Sequence, residues 1–112
     1  MIAMPFNYDG KTFVSPGDAL TGHYRQHGNL VWGEITGGAV RRGALAGICD
    51  PDGVIRFAYH EVLADGSVVV GECVSRPERL PDGRIRLREE WVRHGPHRDS
   101  GISVIEEAVR DV

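Results

Sequence analysis

Gly-containing turns recur along this chain at nearly even spacing, and they restrict its topology more than any other feature. Asp9-Gly10, His27-Gly28, Gly37-Gly38, Asp52-Gly53, Asp65-Gly66 and Asp82-Gly83 each separate two runs of strand character. Such dipeptides supply the positive φ that a tight hairpin requires. A succession of them predicts a meander in which each strand pairs antiparallel with the next. Strands are expected at about 11–15, 20–26, 29–36, 39–49, 54–63, 67–76, 84–94 and 100–108. At 112 residues the chain has the size of one domain with one core. Closing so short a meander into a barrel removes both exposed edges. The expected fold is therefore all-β: a single eight-stranded antiparallel up-and-down barrel over residues 1–112. The segment 105–112 is read as able to finish in a short helical turn.

Composition excludes several classes of function. Hydrophobic residues at 41% and charged residues at 26% fit a soluble globular protein. The net charge of -3 offers no basic face for nucleic acid. No apolar run approaches the ~20 residues of a membrane-spanning helix. Met1 to Asp9 lacks the basic start and apolar run of a signal peptide. Cys49 and Cys73 form neither a disulfide framework nor a zinc spacing, so the reducing cytoplasm is the expected compartment. His23, His27, His60, His94 and His97 do not place two imidazoles on one strand face with a carboxylate. Neither a metal nor an organic cofactor is expected.

The strand 84–94 shows its two faces plainly. Arg84, Arg86 and Arg88 alternate with Ile85, Leu87, Glu89 and Trp91. Three arginines on one side face water, so the second set points inward. Register carries this assignment to the neighbouring strands. Pro51-Asp52-Gly53, Ala64-Asp65-Gly66 and Pro81-Asp82-Gly83 are read as three-residue loops with Gly in the left-handed position. Trp91 then lies opposite Cys73, Glu89 opposite Ser75, Cys73 opposite Phe57, Gly71 opposite Tyr59, Tyr59 opposite Leu45 and Glu61 opposite Gly43. A two-residue Gly37-Gly38 turn would set Trp32 opposite Gly43 and Glu34 opposite Arg41. A three-residue Gln26-His27-Gly28 loop would set Leu30 opposite Tyr24. The inner face so derived adds Gly47, Cys49, Ile55 and Val69 to these residues. Large rings alternate with glycines across it: Trp32 beside Gly43, Phe57 beside Gly47, Tyr59 beside Gly71. The outer face receives Val31, Ile35, Val40, Ala44, Ala46, Ile48, Val62, Val68, Val70 and Val74. That much apolar surface points to a homo-oligomer, in its simplest form a homodimer, through the wall of residues 40–74.

The candidate binding residues are Tyr24, Trp32, Phe57, Tyr59, Glu61, Cys73, Ser75 and Trp91. Aromatic walls with a few polar groups suit a small apolar or aromatic ligand. Glu89 and Tyr59 are the catalytic candidates. A carboxyl among Leu87 and Trp91, with only Ser75 opposite, has a raised pKa suited to acid–base work. Glu34 and Arg41 are read as a structural ion pair. Cys73 lacks a cation that would activate its thiol, and Ser75 and Ser103 lack a histidine base.

From Tyr24 to Glu107 the chain resembles a group of small bacterial proteins that often go by the name N-acetylglutamate synthase. The shared residues are Tyr24-x-Gln26-x-Gly28, Gly37-Gly38 with Gly43, and Gly71-x-Cys73-x-Ser75. To these are added Asp82 to Leu87 followed by Glu89-x-Trp91, and Gly101-x-Ser103-x-x-Glu106-Glu107. The group resembles calycin-like (lipocalin-like) barrels, and that resemblance implies a cavity for a small apolar molecule. The acetyl transfer implied by the name needs a Gly-rich phosphate turn at a helix N-terminus. The nearest stretch, Arg41 to Gly47, has its glycines at other spacings and reads as strand. Glu61 stands where the resemblance implies a histidine. The leading functional expectation is a small-molecule-binding barrel. The alternatives are an isomerase, cyclase or lyase that uses Glu89 as acid or base, and a filled barrel that serves as an oligomeric interaction module.

Overall fold

A computed structural model describes residues 6–17 and 19–109. Eight strands pair in sequence order and close into an antiparallel barrel: β1 (Thr12–Val14), β2 (Thr21–His27), β3 (Leu30–Gly37), β4 (Val40–Cys49), β5 (Ile55–Leu63), β6 (Val68–Arg79), β7 (Ile85–His94) and β8 (Asp99–Glu107). Closure is made by β1 against β8, with Phe13 opposite Glu107 and Val14 opposite Glu106. A single 3-10 turn, Gly95–His97, joins β7 to β8. Ile105 to Glu107 are strand rather than helical turn, and residues 110–112 of that expected turn lie outside the described residues.

The three Asp-Gly loops form as the sequence implies. Asp50, Leu63 and Leu80 each donate the backbone amide to the carbonyl of the residue four positions later and accept from the glycine three positions later, across loops 51–53, 64–66 and 81–83. Gly53, Gly66 and Gly83 take φ values of 86°, 89° and 90°. These loops fix the parity of β4 to β7. Accordingly Tyr59 pairs with Leu45 and Gly71, Phe57 with Cys73, Glu61 with Gly43, Trp91 with Cys73 and Glu89 with Ser75.

Strand β3 is turned over relative to the expectation. Val31 is fully buried, while Leu30 and Trp32 are 46% and 38% exposed. The cause lies in both of its hairpins. The β2–β3 turn is the two residues Gly28-Asn29, which sets His27 opposite Leu30 and Tyr24 opposite Gly33. The β3–β4 turn is Gly38-Ala39, with Gly37 opposite Val40. Both turns place Gly first and an ordinary residue second, the pattern of a type II′ hairpin. A β-bulge follows in which Thr36 opposes both Arg41 and Arg42, so that Val40 and Gly43 both face inward. Each hairpin differs from the expected one by a change of parity. The two changes cancel, and for that reason Tyr24 on β2 is inward as expected and buried. Val31, Ile35 and Val40 thus belong inside, not on the outer wall. Glu34 and Arg41 lie outside, and Glu34 pairs with Arg42 at 3.6 Å instead.

The two ends of the barrel differ. The loops after β2, β4 and β6 gather at one end, where Val31, Cys49, Ile55, Ile85 and Leu87 pack with Phe13. Tyr8, ahead of β1, plugs this end: its ring is fully buried, its hydroxyl donates to the Gly53 carbonyl, and its amide donates to the Gln26 side chain. Phe6 lies against Gly53, with the Arg79 guanidinium 4.8 Å from its ring centroid. The loops after β1, β3, β5 and β7 surround the opposite end, which is open.

Candidate functional site

The cavity is a consequence of where apolar bulk stops along the strands. On β7 the inward sequence is Ile85, Leu87, Glu89, Trp91 and Arg93; on β5 it is Ile55, Phe57, Tyr59 and Glu61. Beyond Leu87 and Ile55 the side chains become polar or planar, and glycines face them from the neighbouring strands. Tyr59 lies over Gly71: a Cβ there would fall 2.6 Å from the tyrosine hydroxyl oxygen. Trp91 lies over Gly101, where a Cβ would fall 2.6 Å from the indole ring. Rings laid flat on glycine backbone line the wall without filling the lumen. The space left is a cavity of about 330 Å³ that opens at the mouth.

Of the residues expected in the site, Tyr24, Phe57, Tyr59, Glu61, Cys73, Glu89 and Trp91 line this cavity. Trp32 does not; the inversion of β3 puts its indole on the outer wall, and Ile35 takes the inward place. Ser75 stands behind the wall, fully buried, and acts through Glu89. Several wall residues were not legible beforehand. Leu20 and Thr21 come from the β1–β2 connection and Phe13 from the short β1. Ser103 and Ile105 follow from β8 pairing with Glu89 and Leu87. Arg93 was foreseeable, since it continues the inward alternation one step past Trp91.

Deep in the cavity Glu89 Oε2 accepts a hydrogen bond of 2.9 Å from Ser75 Oγ and a longer one of 3.7 Å from Cys73 Sγ. Burial pushes the Glu89 carboxyl above its ordinary range, and Glu61 adds to that, while the two donors oppose it. Burial likewise pushes the Cys73 thiol up, reinforced by Glu89, which makes it a resting thiol and not a nucleophile. The Tyr24 hydroxyl is raised by burial first and by the nearby Glu89 second. Its ring packs on Phe13 with centroids 5.0 Å apart.

At the mouth Glu61 is buried, and its carboxyl is pushed up by burial and held back by Arg93. Arg93 Nη2 is 3.9 Å from Glu61 Oε1, an ion pair too long for a hydrogen bond. The Arg93 guanidinium lies 5.4 Å from the Trp91 ring centroid and beside the Tyr59 hydroxyl, whose pKa burial raises and Arg93 lowers. Among the described residues no group of three His, Cys, Asp or Glu side chains is placed to hold a metal ion. His60, His94 and His97 are exposed on the outside or at the β7–β8 turn. Both cysteines are free. No helix of the described chain is long and apolar enough to cross a membrane.

A small closed barrel with a plugged end, an open mouth and an aromatic wall can hold one small molecule and orient it through Glu89, Tyr59, Glu61 and Arg93. Residues 6–108 match the family model described as avidin-like protein. No curated protein matches the sequence.

Proposed function

This chain belongs to the avidin-like family, and from that membership we propose that it is a small-molecule-binding barrel. Its ligand has an apolar or aromatic body and lies among Tyr24, Phe57, Tyr59 and Trp91. The observation that carries this reading is the unfilled half of the lumen. A cavity of about 330 Å³ falls at the lower end of the range for ligand pockets, and polar groups converge on it from an aromatic wall. A filled barrel has no use for Glu61, Glu89 and Arg93 on its inner face.

The two tryptophans provide the test. Trp91 lines the cavity and Trp32 lies outside it. In a Trp32→Phe variant, emission reports on the cavity alone. A panel of small apolar and aromatic molecules should shift it, and native mass spectrometry of protein from its own host should show a copurified species of small mass. Unmoved Trp91 emission across the panel, together with an empty mass spectrum, overturns the reading.

Glu89 favours a second reading, in which the same cavity performs an isomerase, cyclase or lyase reaction. Its carboxyl has an elevated pKa and faces the lumen near Tyr24 and Tyr59, which suits proton transfer to a substrate held by an oxygen. Glu89→Gln separates the two. It abolishes turnover if the carboxyl moves a proton, and leaves ligand binding in place if the barrel only binds.

The outer wall of residues 40–74 supports a homo-oligomer, and the inversion of β3 puts Leu30 and Trp32 beside it in place of Val31 and Ile35. Ile48, Val68 and Val70 are exposed there, joined by Leu30 and Trp32 from β3, and Ala46 and Ala58 leave a depression. Sedimentation at micromolar concentration tests this, and a clean monomer ends it. Two free cysteines are consistent with a reducing cytoplasm as the place of action.

A further inference from the structure

Strand β8 is longer than the strand that closes the barrel against it. β1 stops at Val14, opposite Glu106. Residues 99–105 of β8 therefore have β7 on one side and, among the described residues, no strand on the other. The sequence accounts for the stop. The Ala108 amide donates to the Thr12 carbonyl, so the even-numbered residues of β8 turn their backbone groups toward β1. By the same count the next residue of β1 to face β8 is Pro16, opposite Val104, and proline has no N–H to give. The chain turns back there toward β2, closed by the Ser15 amide on the Leu20 carbonyl. The outward N–H and C=O groups of Ile102 and Val104 are thus without a hydrogen-bond partner among the described residues, while the Ser100 amide is held by Asp99 Oδ1 at 2.9 Å. A bare edge is ordinarily guarded by a charge, a proline or a bulge. This one has none: its outer face carries Ser100, Ile102 and Val104, the last two 59% and 41% exposed, and its pairing with β7 is unbroken.

We propose that this edge joins two copies of the chain, β8 against β8 of a second copy, antiparallel about a two-fold axis near Ile102. A strand edge repeats one donor and one acceptor at every second residue, so antiparallel pairing with its own copy satisfies both sets. The outer face of residues 100–104 holds no charge, so the two copies bring no like charges directly opposite each other. The nearest charged neighbours on that face, Arg88 and Glu90, lie one strand back on β7 and are opposite in sign. Ile102 and Val104 then lose water against the second copy. The contact is separate from the wall of residues 40–74 and uses none of its residues. Because Ile102, Ser103 and Ile105 also border the cavity, the joint lies beside the open mouth of each copy.

Residue-resolved hydrogen exchange and sedimentation at high micromolar concentration test this on the whole chain. The wild-type protein should sediment as a dimer or larger. Its Val104 amide should exchange about tenfold or more slowly than in Ile102→Lys, which sets two ammonium groups against each other across the axis. Ile102→Pro deletes an amide that does not pair with β7, and it should act as the lysine does. The Ser103 amide points to β7 and should stay equally protected in every protein, which reports a folded barrel. If proline disturbs it, the lysine variant carries the test. Ile48→Lys, on the outer wall, should leave the Val104 amide protected. A monomeric wild-type protein overturns the inference, whether or not its edge takes a strand from another protein. A Val104 amide that exchanges alike in the wild type and Ile102→Lys overturns it as well. So does protection that vanishes in Ile48→Lys, since the association then belongs to the outer wall.

Discussion

Along β7, Ile85 and Leu87 are fully buried at the plugged end, while Glu89, Trp91 and Arg93 on the same face line open space at the mouth. The backbone pairing is regular through both halves, so the hydrogen-bonded ladder does not distinguish them. The difference lies in side-chain volume and in what sits across the lumen. At the plugged end aliphatic residues from β3, β5 and β7 meet one another and are closed off by Tyr8. At the mouth, Gly71 and Gly101 face Tyr59 and Trp91, and the rings lie flat on backbone instead of reaching the axis. One strand set thus supplies a tightly packed half that holds the barrel closed and an open half that leaves room for a ligand.

That contrast is broken most directly at Leu87. Leu87→Ala should destabilise the barrel by about 3 kcal/mol, the usual range for a fully buried leucine, measured by denaturant unfolding. Ile105→Ala, whose side chain lines the cavity, should lose less than half as much, since one of its sides already lacks neighbours. Equal losses at the two positions would remove the distinction between the halves.

Gly71→Ala sharpens it from the other side. The new methyl falls 2.4 Å from the Val92 carbonyl oxygen and 2.6 Å from the Tyr59 hydroxyl oxygen. Overpacking of this kind costs about 1–3 kcal/mol. It also drives the ring of Tyr59 into the lumen, so thermal melting and ligand affinity should fall together. A variant that melts as the wild type shows that the ring is not held against the glycine.

A smaller effect separates the halves by pH. Burial holds the Glu89 carboxyl above its value in the unfolded chain. The folded state therefore binds its proton more tightly. The stability from this group is fully present below the unfolded pKa, about 4.3, and is lost as pH rises through the folded-state value. Glu89→Gln has no such titration, so it should gain on the wild type as pH is raised from 4 toward 8, by chemical denaturation at each pH. Glu61 is shifted the same way and leaves a residual slope in the variant. Asp9, Asp65 and Asp82 are shifted downward, and they act below this window. A constant difference between the two proteins across the range would show that Glu89 does not titrate abnormally.

The smallest effect belongs to the outer surface. Glu34 and Arg42 are largely exposed and 3.6 Å apart. Arg42→Ala should change stability by no more than about 0.5 kcal/mol. A loss of several times that would return Glu34 to the interior and reverse the orientation of β3.

Much of the site was legible because parity passes reliably through Asp-Gly loops of known length. Glu89, Trp91, Cys73, Tyr59 and Glu61 were all assigned by counting from three arginines on one strand. Trp32 was misplaced because the bulge at Arg41 and Arg42 adds one residue to β4 and so reverses the parity carried from β4 to β3. The β3–β4 turn at 38–39 instead of 37–38 keeps parity, whereas the two-residue Gly28-Asn29 turn in place of a three-residue loop changes it between β2 and β3. The signal was present in Gly28-Asn29, a recognised hairpin dipeptide, but His27-Gly28 competes with it at the same place. The bulge at Arg41 and Arg42 had no separate sequence mark. Nor did Tyr8, which lies in an irregular segment without periodicity.

Eight strands, their order and the faces of four of them, β4 to β7, were determined by the sequence itself, because turn chemistry and alternation act over a few neighbouring residues. Whether the lumen stays open and which end is plugged were decided only when distant segments met. Those outcomes depend on volumes and polar groups contributed from opposite sides of the barrel, and no local pattern along the chain records their sum.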